Sequence, residues 1–355
     1  MKSFRFILFP LSLLYVLIIR IRNLAFDLHL LPSESFNLPI ISVGNLKAGG
    51  SGKTPMVEYL IRLLGESNGL AILSRGYKRK SKGYRLAGER ETIETLGDEP
   101  LQYHLKFPEI RVAVCEKRRA GIRHLLHDSE GIKTILLDDA FQHRYVKPGI
   151  SILVTEYYQT YAKDWLLPYG RLREPISGSR RADIIVVTKT PKIFSPIIRR
   201  QLIEELNPLP TQTVCFSYIQ YQAYKPVYVN SNAIHVNAEN LYSIVLLTGI
   251  ANPGPIEEYT RRKCSDLELF HFDDHHAFTR KELNLVKEKF LNLPTQRKII
   301  ITTEKDAMRL QNPMAESILS DLPIFYIHIS FEFHKPDKPV FDEAVKKWVH
   351  SFQKR

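Results

Sequence analysis

Cysteine is scarce: Cys115, Cys215 and Cys264 are the only three in 355 residues. They are odd in number and far apart, which excludes a disulfide framework and a zinc-ligand pattern and makes a reducing compartment the default setting. Acidic residues are outnumbered, 38 against 50 Lys plus Arg, giving a formal net charge of +12. A surface of that sign draws phosphates, whether on nucleic acid, anionic lipid or a phosphorylated substrate. The basic residues are spread along the chain, with small clusters at Lys78-Arg79-Lys80 and Arg261-Arg262-Lys263. No DNA- or RNA-binding signature accompanies them, so nucleic acid is not an expected partner. Internal repeats and low-complexity tracts are lacking too. A composition of 44% hydrophobic and 25% charged residues fits a globular protein with a real core. The length admits one large domain or two modest ones.

A full-length apolar span is also lacking. Phe6 to Ile19 gives fourteen uncharged residues, FILFPLSLLYVLII, against the ~20 needed to cross a bilayer as a helix. Lys2 and Arg5 precede this run, Arg20 and Arg22 follow it, and Pro10 would kink or delimit a helix. A signal peptide fits the basic start and the apolar length, but no small-x-small cleavage site follows. A short or tilted spanning helix would also accommodate the run, as would a buried first helix. An interfacial helix within residues 1–31, with Arg20 and Arg22 snorkelling to headgroups, fits best, and the membrane surface is the expected partner.

Past this segment, short apolar runs alternate with helical periodicity. Strands are predicted at 39–43, 70–73, 111–114, 134–137, 151–154, 183–187 and 214–216, then at 244–247, 298–301 and 324–329. Val57, Leu60, Ile61 and Leu64 recur at helical spacing, and further helices are predicted near 255–263, 280–290 and up to Phe352. Such alternation indicates an α/β fold with a mostly parallel sheet. The Tyr- and Asn-rich stretch 218–242 reads as a linker or hairpin. The expected organisation is an N-terminal apolar helix (1–31), a P-loop NTPase-like core (32–217), the linker (218–242) and a smaller C-terminal α/β lobe (243–355).

Gly49-Gly50-Ser51-Gly52-Lys53-Thr54 follows the first strand and opens a helix, with Pro55 in the first turn, where a missing N–H costs little. The strict phosphate-loop pattern is incomplete, because position 47 is Lys where that pattern has glycine. The physics survives the departure. Glycines let backbone N–H groups curl around phosphate oxygens, and the helix N-terminus adds positive potential. Lys53 would reach the β- and γ-phosphates, and Thr54 would ligate Mg²⁺. A Gly-rich turn before an ordinary helix is the plainer reading of the loop. Ile135-Leu136-Leu137-Asp138-Asp139 weighs against it: this is an apolar strand ending in two carboxylates, the arrangement in which an aspartate holds Mg²⁺. ATP and Mg²⁺ are therefore the expected ligands. Lys189 sits where GTPases carry a base-reading lysine, but the Asp expected two residues later is Pro191, which argues against a guanine site.

VGNLKAGGSGKTP (43–55), SRGY (74–77), GDEP (97–100), DDAFQH (138–143), LPYGRLREP (167–175), FDDHHAF (272–278) and TEKDA (303–307) occur in this order. This series resembles the tetraacyldisaccharide 4'-kinases, the lipid A 4'-kinases of Gram-negative bacteria, over nearly the whole chain. The resemblance implies ATP-dependent phosphorylation of the 4'-hydroxyl of a disaccharide lipid A precursor at the cytoplasmic face of the inner membrane. It implies Asp98 as catalytic base and His275 as its partner; each member of such a pair orients and tunes the other. Read from the residues alone, Asp98-Glu99-Pro100 is also a good helix N-cap, and His271, Asp273, Asp274, His275 and His276 allow a metal cluster. The resemblance further implies Asp138, Asp139 and Glu174 at the Mg²⁺, Asp139 foremost. Arg75, Tyr77, Arg118 and Arg173 fall in the active site, and Gln142 and His143 line the nucleotide site. For Arg173-Glu174 an exposed ion pair is the plainer reading, and for Arg118, within Lys117-Arg118-Arg119, a solvated basic face. A P-loop switch or assembly factor at the membrane is the competing function. It needs no base for a sugar hydroxyl, so the Asp98–His275 pair separates the two.

Overall fold

The central strands are buried on both faces, which is why they read as continuous apolar runs. The computed structural model describes residues 9–65, 69–228, 243–274 and 276–353. The chain forms two compact units, Met1–Ile219 with Phe331–Arg355, and Gln220–Ser330.

In chain order the first unit contains α1 (Phe9–Asp27), β1 (Ile40–Gly44), α2 (Lys53–Leu64), β2 (Leu70–Ser74), β3 (Arg85–Leu86), α3 (Ile93–Leu96), α4 (Asp98–Lys106), β4 (Arg111–Val114), α5 (Arg118–Asp128), β5 (Thr134–Asp138), β6 (Ile150–Glu156), β7 (Ile184–Thr188), α6 (Pro196–Leu206) and the start of β8 (Thr213–Pro226). Its strands lie in the order β8-β7-β6-β1-β5-β2-β4-β3. All are parallel except β3, which closes the edge antiparallel to β4. The loops after β1, β2, β4, β5, β6 and β7 therefore open at one sheet edge, the place where open α/β sheets bind ligands. Successive strand residues serve opposite faces. Ile41 and Val43 join Met56, Leu60 and Tyr103 on one side, while Ile40 joins Leu73, Ile122, Leu125 and Ile135 on the other.

The second unit contains β9 (Ser243–Thr248), α7 (Gly254–Arg261), β10 (Asp266–His271), α8 (Arg280–Asn292), β11 (Lys298–Thr303), α9 (Glu304–Leu310), α10 (Pro313–Leu319) and most of β12 (Ile324–Phe333). Its sheet runs β10-β9-β11-β12, all parallel. TEKDA has a structural use here. The fully buried Asp306 accepts from the Gly249 N–H at 3.0 Å and from Thr303 Oγ1 at 2.7 Å, and pairs with Arg309 at 2.7 Å. A buried carboxylate persists only with such partners, and here they fix the turn that follows β9.

The expected division at 218–242 and 243–355 does not coincide with these units. Residues 218–226 continue β8, residues 229–242 lie outside the described residues, and the last helix, α11 (Asp337–Gln353), belongs to the first unit. Aromatic packing is the reason. Tyr59 of α2 meets Phe331, Phe333 and Phe341 with ring centroids 5.0–5.9 Å apart, and its hydroxyl donates to Asp342 at 2.6 Å. Trp348 of α11 covers Gly149, where a Cβ would stand 1.7 Å from the indole ring. Gly149→Ala is expected to lower unfolding stability by about 1–3 kcal/mol, read as a fall in the urea midpoint; an unchanged midpoint would show that α11 adjusts freely.

α1 carries its apolar side outward. Leu11, Leu13, Leu14, Leu17, Ile18, Ile21 and Leu24 are each more than half exposed, while Ser12 and Phe26 are buried. Arg22 corrects the snorkelling expectation. Its Nη2 donates to the Gln142 carbonyl at 2.8 Å and its guanidinium lies over Phe26, so it faces the protein; Arg20 is exposed. Among the described residues, no helix is long and apolar enough to cross a membrane.

Candidate active site

The loop after β1 has the shape its glycines require. Gly49 and Gly52 sit at φ +115° and +89°, values that L side chains rarely adopt, and Gly52 caps α2. Lys47 explains the departure from the strict pattern. Position 47 pairs with Leu172 across an antiparallel bridge, and its side chain runs away from the loop to Gln159 O at 2.8 Å and Asp164 at 3.0 Å. The turn is made two residues later, so a glycine at 47 has no task. The loop is braced from β7 and the residue after it. Thr188 Oγ1 donates to Ser51 O at 2.8 Å, and Lys189 Nζ donates to Gly50 O at 2.6 Å and pairs with Glu156. Lys189 thus supports the phosphate loop. Thr54, expected at the metal, is buried in the first turn of α2.

β5 is hydrogen-bonded beside β1, with Val43 level with Asp138. This brings the two carboxylates to the phosphate loop. Asp138 is buried; its Oδ2 accepts from Ser74 at 3.3 Å, whereas Oδ1 has no hydrogen-bond partner among the described residues. Burial, then the charges of Glu99 and Asp139, push its carboxyl well above the usual carboxylate range. Asp139 follows in a left-handed conformation, φ +46°, which turns the chain away from the strand. Burial alone would raise its carboxyl, but Lys53 and Arg173 hold it well below the usual range. Lys53 Nζ lies 3.7 Å from Asp139, and Arg173 grips both Asp139 oxygens, at 3.0 and 2.7 Å, in the two-pronged geometry that makes Arg–carboxylate pairs strong.

Arg173 and Glu174 are not an exposed pair. Main-chain bonds from Ala48 N to Arg171 O and from Arg173 N to Leu46 O stitch the 171–173 segment to the entry of the phosphate loop. Glu174 is buried, and both its oxygens already accept: Oε1 from Gln142 at 2.8 Å and Oε2 from Arg181 at 2.7 Å. In this geometry it orients Gln142, whose amide also donates to Asn45 O at 2.9 Å. Arg118 does not form a solvated basic face. It is 2% exposed and donates to Cys115 O at 2.7 Å and Asp138 O at 3.1 Å. It braces the ends of β4 and β5, and burial lowers its pKa only to about 10. Burial, then Arg118 and Arg75, lower His143 to about 4, so that imidazole is neutral at pH 7. Arg75 and Tyr77, after β2, are exposed at the same edge.

Asp98 is not an N-cap. That position is Gly97, at φ +92°, with the Tyr77 carbonyl 2.9 Å from where a Cβ would be. Asp98 is the first residue of α4. The next residue, Glu99, accepts from Thr54 Oγ1 at 3.1 Å, which ties the start of α4 to the start of α2. His275 lies outside the described residues. Of its neighbours, His271 Nδ1 is 2.8 Å from Thr248 Oγ1, and His276 Nε2 is 3.0 Å from Glu282 and stacks on Phe272. Among the described residues, no three His, Cys, Asp or Glu side chains group to hold a metal by themselves.

Two site residues escape a reading of the sequence. Asn45 is 1% exposed, donates to Ser51 Oγ at 2.7 Å and accepts from Lys53 at 3.4 Å and from Arg173. Its signal is an amide placed directly after a buried strand. Glu99 is overshadowed by Asp98; its signal is the doubled carboxylate before Pro100.

A family model described as tetraacyldisaccharide-1-P 4'-kinase matches residues 4–350. The chain is 42% identical over 352 residues to the tetraacyldisaccharide 4'-kinase of Bacteroides thetaiotaomicron, covering 96% of this chain and 92% of that one. It is 46% identical over 324 residues to the enzyme of the same name from Flavobacterium johnsoniae, covering 91% and 93%. The crystal structure of LpxK from Aquifex aeolicus in complex with ATP superposes with a TM-score of 0.73 at 28% identity, covering 98% of this chain and 99% of that one. The ordered motifs, the shared fold and these identities agree, and the chain belongs to the tetraacyldisaccharide-1-P 4'-kinase family.

Proposed function

We propose that this protein transfers the γ-phosphate of ATP to the 4'-hydroxyl of a tetraacyldisaccharide 1-phosphate, a lipid A precursor. The observation that carries the reading is the convergence of Lys53, Arg173 and Asp139 at the mouth of a glycine loop whose helix start is tied to the start of α4, where Asp98 stands. Backbone N–H groups of Gly49 to Lys53 cradle the phosphates, and Lys53 and Arg173 leave Asp139 to neutralise charge on the transferring group. Asp98 accepts the proton of the acceptor hydroxyl as its oxygen bonds to the γ-phosphorus and the bond to ADP breaks. His275 partners Asp98 in this scheme. Arg75, Tyr77, Gln142 and His143 line the nucleotide site.

The donor set suits a hard divalent cation. Thr54 Oγ1, Asp138 Oδ1, which has no hydrogen-bond partner among the described residues, and Asp139 would hold Mg²⁺, with Glu99 beside them. Bound there, the ion would neutralise phosphate charge and relieve the crowding of Glu99, Asp138 and Asp139. The competing reading is a nucleotide-driven switch. Purified protein, Mg-ATP and the disaccharide 1-phosphate acceptor in detergent micelles separate the two. ADP release that depends on acceptor supports the kinase; steady hydrolysis indifferent to acceptor supports the switch.

The exposed apolar face of α1 supports interfacial anchoring at the cytoplasmic face of the inner membrane. Replacing Leu14, Leu17 and Ile21 together by Gln removes roughly three buried side chains' worth of lipid contact, about 1.5–3 kcal/mol each. Co-pelleting with anionic phospholipid vesicles is expected to fall at least tenfold, and unchanged pelleting would remove α1 as the anchor.

A further inference from the structure

α1 reverses the pattern of an ordinary surface helix, which turns its polar side to water. Here most of the outward residues are apolar, Arg20 and Asp27 excepted, and the inward stripe at positions 12, 15, 22 and 26 includes three polar side chains. Each of the three bonds to backbone in a catalytic loop or in the segment leading into it. Ser12 Oγ donates to Leu166 O at 3.3 Å and accepts from Tyr169 N at 2.9 Å. The Tyr15 hydroxyl donates to Arg173 O at 2.8 Å. Arg22 Nη2 donates to Gln142 O at 2.8 Å. The grip is reciprocal: Arg144 donates to Asn23 O at 3.0 Å, pairs with Asp27 at 2.6 Å, and, like Arg22, lies over the Phe26 ring.

The two gripped segments, 142–145 and 166–173, are loops. Turns and single bridges hold part of their backbone, but the Gln142 and Arg173 carbonyls, next to the site, accept from α1, and a loop carbonyl's partner helps to set its conformation. Both carry active-site side chains. Arg173 holds Asp139, and Gln142 bonds Asn45 O and Glu174. We propose that Tyr15 and Arg22 are positioning residues for phosphoryl transfer, so that the helix placed on the membrane also sets the geometry of the catalytic loops. The proposal rests on the kinase reading above.

The test compares wild type with Tyr15→Phe, Arg22→Ala and Arg22→Lys in acceptor phosphorylation, ATP KM, vesicle co-pelleting and thermal midpoint. Tyr15→Phe removes one hydroxyl donor and is expected to lower kcat about fivefold to tenfold. Arg22→Ala removes a charge-assisted bond and is expected to cost about 10–100-fold. Arg22→Lys keeps a cationic donor and recovers part of the loss. ATP KM stays within about twofold, because the phosphate loop is untouched, and co-pelleting matches wild type. Unchanged kcat in Tyr15→Phe and Arg22→Ala overturns the proposal, as does a kcat loss that follows lost vesicle binding or a lowered midpoint. A wild-type protein without transfer activity overturns the kinase reading, and this proposal with it.

Discussion

Asp98→Asn is expected to lower kcat for acceptor phosphorylation by about 10²–10⁴-fold, the usual worth of a positioned general base. The substitution keeps the shape of the side chain and its place as first residue of α4, behind Gly97 at φ +92°. It removes only the capacity to take a proton. In the proposed scheme ATP is held by the phosphate loop and Lys53, which the substitution does not alter, so ATP KM should stay within about threefold. Rapid-quench kinetics with saturating acceptor separates the chemical step from product release. A collapse of ATP affinity with kcat little changed would move Asp98 out of the base role and into nucleotide binding.

Lys53→Ala is expected to cost about 10³-fold in kcat, the scale set by losing a positioned charge at the transferring phosphoryl group. Lys53 is held for this task. Its side chain is only 12% exposed, and its ammonium sits between Asn45 Oδ1 and Asp139. Lys53→Arg is expected to rescue poorly, because a planar fork cannot replace a compact point charge in a loop this tight. Activity within about tenfold of wild type in Lys53→Ala would show that Arg173 alone carries the charge neutralisation. The two variants also differ in kind. Asp98→Asn should bind Mg-ATP as wild type does, whereas Lys53→Ala should bind it more weakly.

Where burial and motif coincide, sequence is a sound guide to structure. The strands predicted at 39–43, 70–73, 111–114 and 134–137 appear within a residue of their observed ends, because strands buried on both faces must be apolar throughout. β10 escapes notice for the complementary reason. It is an edge strand of alternating polar and apolar residues, DLELFH, with no apolar run to find. β8 reads too short because its second half, rich in Tyr and Gln, is only partly buried. Chain proximity places the final helix with the C-terminal lobe, but the aromatic cluster around Tyr59 that claims it joins residues nearly 300 positions apart. At the site, Lys53, Thr54, Asp138 and Asp139 are legible because the chemistry demands those types after those strands. Asn45 and Glu99 are not, since an amide hub and a carboxylate next to a hydroxyl are defined by tertiary neighbours. The inward duty of Arg22 is equally invisible, because a basic residue ending an apolar run looks the same whether it meets a headgroup or a carbonyl.

The most direct measurement is ³¹P NMR of the lipid isolated after incubating the purified protein with Mg-ATP and the disaccharide 1-phosphate. The expected product carries a new phosphomonoester resonance, coupled to the proton at the 4' position, beside the unchanged resonance of the 1-phosphate. Lipid that returns with the 1-phosphate resonance alone while ATP is consumed, or a second phosphate at another hydroxyl, would contradict the 4'-kinase account.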